Sequence, residues 1–283
     1  MIEKVIVHKY SAHSDDFLAA CVLLYKLPQC EIYRRDFTQE DLGDPNIWVI
    51  DQGLQFNPNL KNFDHHQFKQ EICSFTQILE YFYGDIEFRD FMPELRFIEV
   101  CDSFGPTAAA KLIKTDIESV KMTRSPIVEG VLEIFSEFQD CRVNGPILIL
   151  MAKIGENICR TIEEQKNLID IIEDGYVLGE VSGHNILDVT GCVGVNRNDF
   201  DKLPTQYFCK MKKLDISLIL TQDSREDSGY RLISINTDNI KIQPNPYSHF
   251  THASGFLCCF KDFWRFQDII KSYTISSKQK VTI

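Results

Sequence analysis

The chain opens on a short β-branched run, Lys4-Val5-Ile6-Val7-His8, and then changes period. Phe17, Leu18, Cys21, Val22, Leu24 and Tyr25 share one stripe of the segment Asp15 to Lys26. The first pattern predicts a buried strand and the second an amphipathic helix. Ile47-Trp48-Val49-Ile50 repeats the strand pattern and stops on Asp51, while Asn62-Phe63 stops on Asp64-His65-His66. From about 74 to 180 helical spacing dominates, predicting helices over Ser74 to Phe82, Met92 to Val100, Thr107 to Ile117, Pro126 to Phe138 and Pro146 to Glu173. The texture shifts again near 179. Ile186 to Val189, Ile216 to Thr221 and Tyr230 to Ile235 read as strands, the last two paired across the polar turn Asp223 to Gly229. A loop containing Pro244 and Pro246 leads into Thr251-His252-Ala253-Ser254-Gly255-Phe256, and a final helix is expected to start near Lys261.

Strands followed by helices predict an α/β protein. Residues 1–178 would form a mostly parallel sheet covered by helices, and 179–283 a smaller α+β domain. A length of 283 residues suits two domains. The hydrophobic share of 44% is ordinary for a soluble protein, and no stretch supplies the ~20 apolar residues of a membrane span. Met1 to Tyr10 resembles a strand more than a basic leader, so a cytoplasmic location is expected. The ten cysteines are scattered, Cys258 and Cys259 are adjacent, and no Cys-x-x-Cys pair exists, which points to reduced buried thiols. A net charge of -11 argues against coating long nucleic acid by charge alone.

Ligands of open α/β sheets bind at the carboxyl ends of the strands. His8, Asp51 and Asp64 stand at such ends, and His8, His13 and Asp15 fall within one short loop. Singly, each has a plainer explanation. Asp15 fits a helix cap, and Asp64-His65-His66 fits a polar surface turn.

Together, His8, His13, Asp15 and Asp16, then Asp51-Gln52-Gly53, Pro58 and Asp64-His65-His66-Gln67, then Cys101-Asp102-Ser103 occur in the order of the DHH phosphoesterase superfamily. With His252-Ala253-Ser254-Gly255-Phe256 near the end, the chain most resembles the branch named for the melanocyte-proliferating-gene-one exonuclease. It departs from that branch at Gln52, Leu54, Ser103 and Cys258-Cys259, which bear on substrate more than on metal.

The resemblance implies a metal-dependent phosphodiesterase or exonuclease. Two divalent ions would be held, one by His8, His13 and Asp51 and the other by Asp15, Asp51, His65 and Asp102, with Asp51 bridging. Mixed imidazole and carboxylate ligands favour Mn2+, with Mg2+ or Zn2+ as alternatives. A hydroxide activated between the ions would attack phosphorus. Asp51, Asp64 and His66 would form the catalytic group, with Asp64 orienting an imidazole and His66 donating to a phosphate oxygen or leaving group. His252, Ser254 and Gly255 would bind substrate phosphate. The expected partner is a single-stranded nucleic-acid end or short oligonucleotide, gripped over its terminal one to three nucleotides because the basic residues are dispersed. No membrane partner is expected. The alternatives are a hydrolase of small phosphorylated molecules (pyrophosphate, a nucleoside bisphosphate or a cyclic dinucleotide) and a non-catalytic binding module.

Overall fold

The computed structural model describes residues 2–84, 89, 92–122, 125–181, 184–192, 202–223, 229–235, 240–244, 248–260 and 275–277. The helix expected near Lys261 lies outside them. Two compact units are present, Met1–Ile162 and Glu163–Ile283.

The first unit is built on strands β1 (Lys4–Val7), β2 (Glu31–Arg34), β3 (Ile47–Ile50), β4 (Phe56–Asn57), β5 (Asn62–Phe63) and β6 (Cys141–Arg142). Their order in the sheet is β4-β5-β3-β1-β2-β6. The four central strands run parallel, and the two edge strands are antiparallel to their neighbours. The chain crosses from β1 to β2 through helix α1 (Ser14–Lys26), and from β2 to β3 through the short α2 (Gln39–Gly43). Parallel strands need such crossovers, and both faces of a parallel sheet must be covered. Accordingly Val5, Ile6, Val7, Val49 and Ile50 are fully buried. Burying an aliphatic side chain of this kind stabilises by ~1.5–3 kcal/mol.

Helices α3 (Ser74–Tyr83), α4 (Pro93–Phe104), α5 (Pro106–Leu112), α6 (Ile117–Met122), α7 (Pro126–Ser136) and α8 (Pro146–Gly175) follow. The segment Thr107 to Ile117 is not one helix. After α5, Lys114 takes φ 56°, and the amides of Lys114 and Thr115 donate back to Lys111 and Ala110 at 3.2 and 2.9 Å. This left-handed cap closes α5, and Asp116 then receives the Ser119 amide at 2.8 Å to start α6. Helix α8 reaches α1 through a glycine: a Cβ on Gly155 would stand 2.1 Å from the Cys21 carbonyl oxygen.

In the second unit the strands are β7 (Val177–Val181), β8 (His184–Asp188), β9 (Leu218–Gln222), β10 (Tyr230–Ser234), β11 (Ile240–Ile242), β12 (Phe250–Thr251), β13 (Leu257–Phe260) and β14 (Ile275–Ser277), with helix α9 (Lys202–Met211). Six of the strands form a sheet in the order β12-β13-β10-β9-β8-β7, and β11 pairs with β14. As the hydrophobic pattern predicts, β9 and β10 pair antiparallel. Ile186, Leu218, Leu220, Leu232 and Cys258 pack into its core. Among the described residues, no helix is long and apolar enough to cross a membrane.

Candidate metal centre

Strand register assembles the site. The chain leaves β1 towards β2 on one side and later places β3 on the other, so the order in which strands are laid down reverses between β1 and β3. Crevices at such switch points take ligands. Val7 pairs with Ile50, so the next residues, His8 and Asp51, emerge side by side, with His8 Nε2 3.4 Å from Asp51 Oδ2. Ile50 pairs in turn with Phe63, which brings Asp64 and His65 to the same edge. His65 Nε2 lies 3.2 Å from Asp51 Oδ1. Asp51 itself takes φ 58°, a left-handed conformation that aspartate tolerates better than most residues. Ser74 Oγ, at the start of α3, donates to Asp51 Oδ1 at 2.9 Å and fixes its rotation.

Helix α1 enters through its first turn. The His13 amide donates to Asp16 Oδ1 at 3.0 Å, so Asp16 supplies the carboxylate half of a capping box. Asp15 therefore does not act as the cap. It is fully buried, and neither of its oxygens has a hydrogen-bond partner. Asp102 comes from α4. Sequence reasoning placed it after a helix, whereas it sits in the last turn before Gly105, whose φ of 81° ends the helix. Asp102 Oδ2 is 2.9 Å from His65 Nε2, and its Oδ1 is 3.9 Å from His13 Nδ1. Neighbouring Ser103 donates to the Ile72 carbonyl at 2.7 Å and receives the Ile72 amide at 3.2 Å, tying α4 to the segment before α3.

Four carboxylates, those of Asp15, Asp16, Asp51 and Asp102, thus crowd around two buried imidazoles. Burial pushes the Asp15 carboxyl well above the usual carboxylate range, and the charges of Asp51, Asp102 and Asp16 add to the shift. Asp16 is raised as well, chiefly by burial. Burial opposes charge on His8, yet the adjacent carboxylates of Asp16 and Asp51 outweigh it and push His8 up to about 9. His65 goes up to about 10, because Asp102 and Asp51 overcome its burial in the same way. For Asp51 burial again opposes charge, but His65 and His8 hold it well below the usual range.

Buried polar atoms without partners include His8 Nδ1, both Asp15 oxygens, Asp16 Oδ2, His65 Nε2 and Asp102 Oδ2. His65 Nε2 and Asp102 Oδ2 are close but not aligned as a hydrogen bond, the arrangement of donor atoms directed at a common centre. Donor atoms of His8, His13 and Asp51 lie within 4.8 Å of one another, as do those of His13, Asp15 and Asp102, and those of Asp51, His65 and His66. Leaving buried carboxylates unsatisfied is costly, and coordinating a cation removes the cost. The residues present fit divalent metal.

Asp64 has a different role. Its Oδ2 accepts the Leu54 amide at 2.6 Å, and its Oδ1 accepts the His66 amide at 3.0 Å and lies 2.7 Å from His66 Nδ1. A carboxylate receiving these bonds is an acceptor at Nδ1 too, so the hydrogen sits on that nitrogen. Gly53, with φ 98° and Leu42 Cδ2 3.0 Å from where a Cβ would stand, allows the sharp turn from Asp51 to Leu54.

Sequence reasoning left three contributors unassigned: Asp16, Ser74 and Arg34. Asp16 was legible from its place three residues after His13, as an N3 carboxylate. Arg34 gave no signal, being one charged residue in a short strand. It is fully buried, and its guanidinium donates to the carbonyls of His8 at 2.9 Å, Phe135 at 2.8 Å and Tyr10, holding the loop after β1. It also lies 4.7 Å over the Phe135 ring.

His252, Ser254 and Gly255 belong to the second unit, in the turn between β12 and β13. The Ser254 amide donates to His252 Nδ1 at 3.2 Å, and the Gly255 amide to the His252 carbonyl at 2.8 Å. Both amides are therefore used within the turn. Gly255 is required there: its φ is 74°, and a Cβ would meet Lys241 Cβ at 3.0 Å and the Ile242 carbonyl oxygen at 3.1 Å.

Fold and site together define an α/β protein with a histidine and carboxylate centre at the switch point of its parallel sheet. The family model named for the MYG1 exonuclease, described as an uncharacterised protein family (UPF0160), matches residues 4–78, the stretch carrying His8, His13, Asp15, Asp51, Asp64, His65 and His66. No curated protein matches the chain. An uncharacterized protein from Helicobacter pylori G27 is similar among solved structures, at 12% identity and a TM-score of 0.27 over 96% of this chain and 98% of that one.

Proposed function

We propose that the chain is a metal-dependent phosphodiesterase of the exonuclease type, acting on single-stranded nucleic-acid ends or short oligonucleotides. The observation that carries this reading is Asp15, a fully buried carboxylate with no hydrogen-bond partner, facing a set of imidazole and carboxylate donors that includes Asp51 and Asp102. The exonuclease name of the family matching residues 4–78 supports the reaction class. The resemblance to DHH phosphoesterases supports the ligand assignment, with His8, His13 and Asp51 for one ion and Asp15, Asp51, His65 and Asp102 for the other. Such a donor set suits Mn2+ best, ahead of Mg2+ or Zn2+. Two dications held there would supply the Lewis acidity that activates water and stabilises negative charge on the phosphoryl and leaving-group oxygens.

The remaining work falls to the chain's own groups. Asp64 fixes His66 through Nδ1, which leaves Nε2 of this half-exposed imidazole to hold a proton towards a phosphate oxygen or the leaving group. Ser74 keeps Asp51 in one orientation. His252 and Ser254 add phosphate contacts through their side chains. Cysteines that are mostly buried suit a reducing cytoplasm.

A substrate panel with added manganese tests the reading, running from pyrophosphate through dinucleotides to single-stranded RNA and DNA. Chelator-sensitive cleavage of the nucleotide substrates is expected. Cleavage of pyrophosphate alone would transfer the site to small molecules, and inactivity with manganese, magnesium and zinc would overturn the hydrolase reading.

A further inference from the structure

Two exposed apolar patches bracket the centre. Tyr10, two residues after His8, is 66% exposed, and its carbonyl is held by Arg34 at the end of β2. On the other side, Leu54 is also 66% exposed and Phe68 is 37% exposed. The Phe68 ring packs 6.1 Å from that of Phe56 in β4, which itself is 5.9 Å from Phe63 of β5. Isolated exposed apolar residues are ordinary. Leu54 is not ordinary. Its φ of 51° is rare for leucine, and its amide is fastened to Asp64, the same carboxylate that fixes His66. The loop is held in a costly conformation that leaves an apolar side chain in solvent beside the centre.

The sheet order sets the spacing. The Tyr10 ring lies 6.2 Å from that of His8, which follows β1, while Leu54 is tied to Asp64 after β5 and Phe68 packs on Phe56 of β4. From β1 to β5 is two strand spacings, about 10 Å. Bases stacked in a duplex are only about 3.4 Å apart along a strand. We propose that Tyr10 and the Leu54–Phe68 patch are base-binding platforms that receive the two nucleobases flanking the scissile phosphate, splayed apart, so that the site takes unpaired strands and short oligonucleotides and rejects duplex. Aromatic and apolar stacking needs no positive charge, which suits a chain of net charge -11. The inference rests on the reading that phosphate binds at the metal centre.

The test is binding, read apart from cleavage. A dinucleotide carrying 2-aminopurine, whose fluorescence falls when the base stacks, is mixed rapidly with the full chain and manganese, and the signal is followed before turnover. Quenching is expected with the fluorescent base in either position, and an abasic dinucleotide should compete poorly. Tyr10→Ala should weaken binding about 5- to 150-fold when the fluorescent base is at its side, and Phe68→Ala likewise at the other, whereas Tyr10→Phe should retain binding. Melting curves of the variants check that folding is intact, and Tyr10, being mostly exposed, carries the test if Phe68→Ala unfolds. Absence of quenching, quenching that survives Tyr10→Ala, or equal competition by the abasic compound would overturn the proposal. Quenching as expected with no cleavage under any metal would instead remove the hydrolase reading and leave the platforms standing.

Discussion

Loading metal onto the metal-free protein should release protons in a number fixed by the site. His8 and His65 are pushed up to about 9 and about 10, so at pH 7 both imidazoles are charged, whereas a metal ligand must be neutral. Binding at both positions therefore expels about two protons. Each proton makes the binding free energy about 1.36 kcal/mol more favourable per pH unit. Between pH 7 and 8 the overall manganese affinity should thus rise roughly 100-fold. Calorimetric titration in two buffers of unlike ionisation heat counts the protons directly, and the same titration across pH gives the slope. The sign can be checked without metal. Both histidine values lie above the unfolded value of 6.5, so their stabilisation is complete below about that pH and is lost as pH rises through 9 and 10. The metal-free protein should melt progressively lower over that window, and bound manganese should reverse the trend. Release of fewer than one proton, or an affinity independent of pH, would refute the assignment of His8 and His65 as ligands.

Asp51→Asn should lose more activity than any other single ligand change, beyond the ~10²–10³ typical of one lost stabilising group, because both ions depend on it; rates and metal content measured together check this. Gly155→Ala should destabilise the fold by more than the ~1–3 kcal/mol of ordinary overpacking, since its methyl meets the α1 backbone at Cys21 and not a flexible side chain; chemical denaturation measures it. His252→Ala should raise KM while leaving metal content intact, and loss of metal would move His252 among the ligands.

Much of the first unit was legible because its information is local. The apolar run at Ile47 to Ile50 matches β3 residue for residue, and α1, α3 and α8 begin within a residue of where periodicity and capping place them. The site motifs around His8, Asp51 and Asp64 were legible for a related reason: each sits where a strand ends or a helix starts, and sequence marks those boundaries. Other features depend on pairing that no local pattern encodes. Strand β2, Glu-Ile-Tyr-Arg, hides its burial behind charged ends, and β4 and β6 are two residues long, too short to show a period. The left-handed cap at Lys114 divides what reads as one helix, because a lysine there gives no glycine-like warning. Only the tertiary structure decided that Val7 pairs with Ile50 and Ile50 with Phe63, and those two registers bring His8, Asp51 and His65 to one point. The burial of Arg34 and the orphaned carboxylate of Asp15 arise from the same cause. Both are set by what surrounds a residue in space, and sequence fixes that only through the fold.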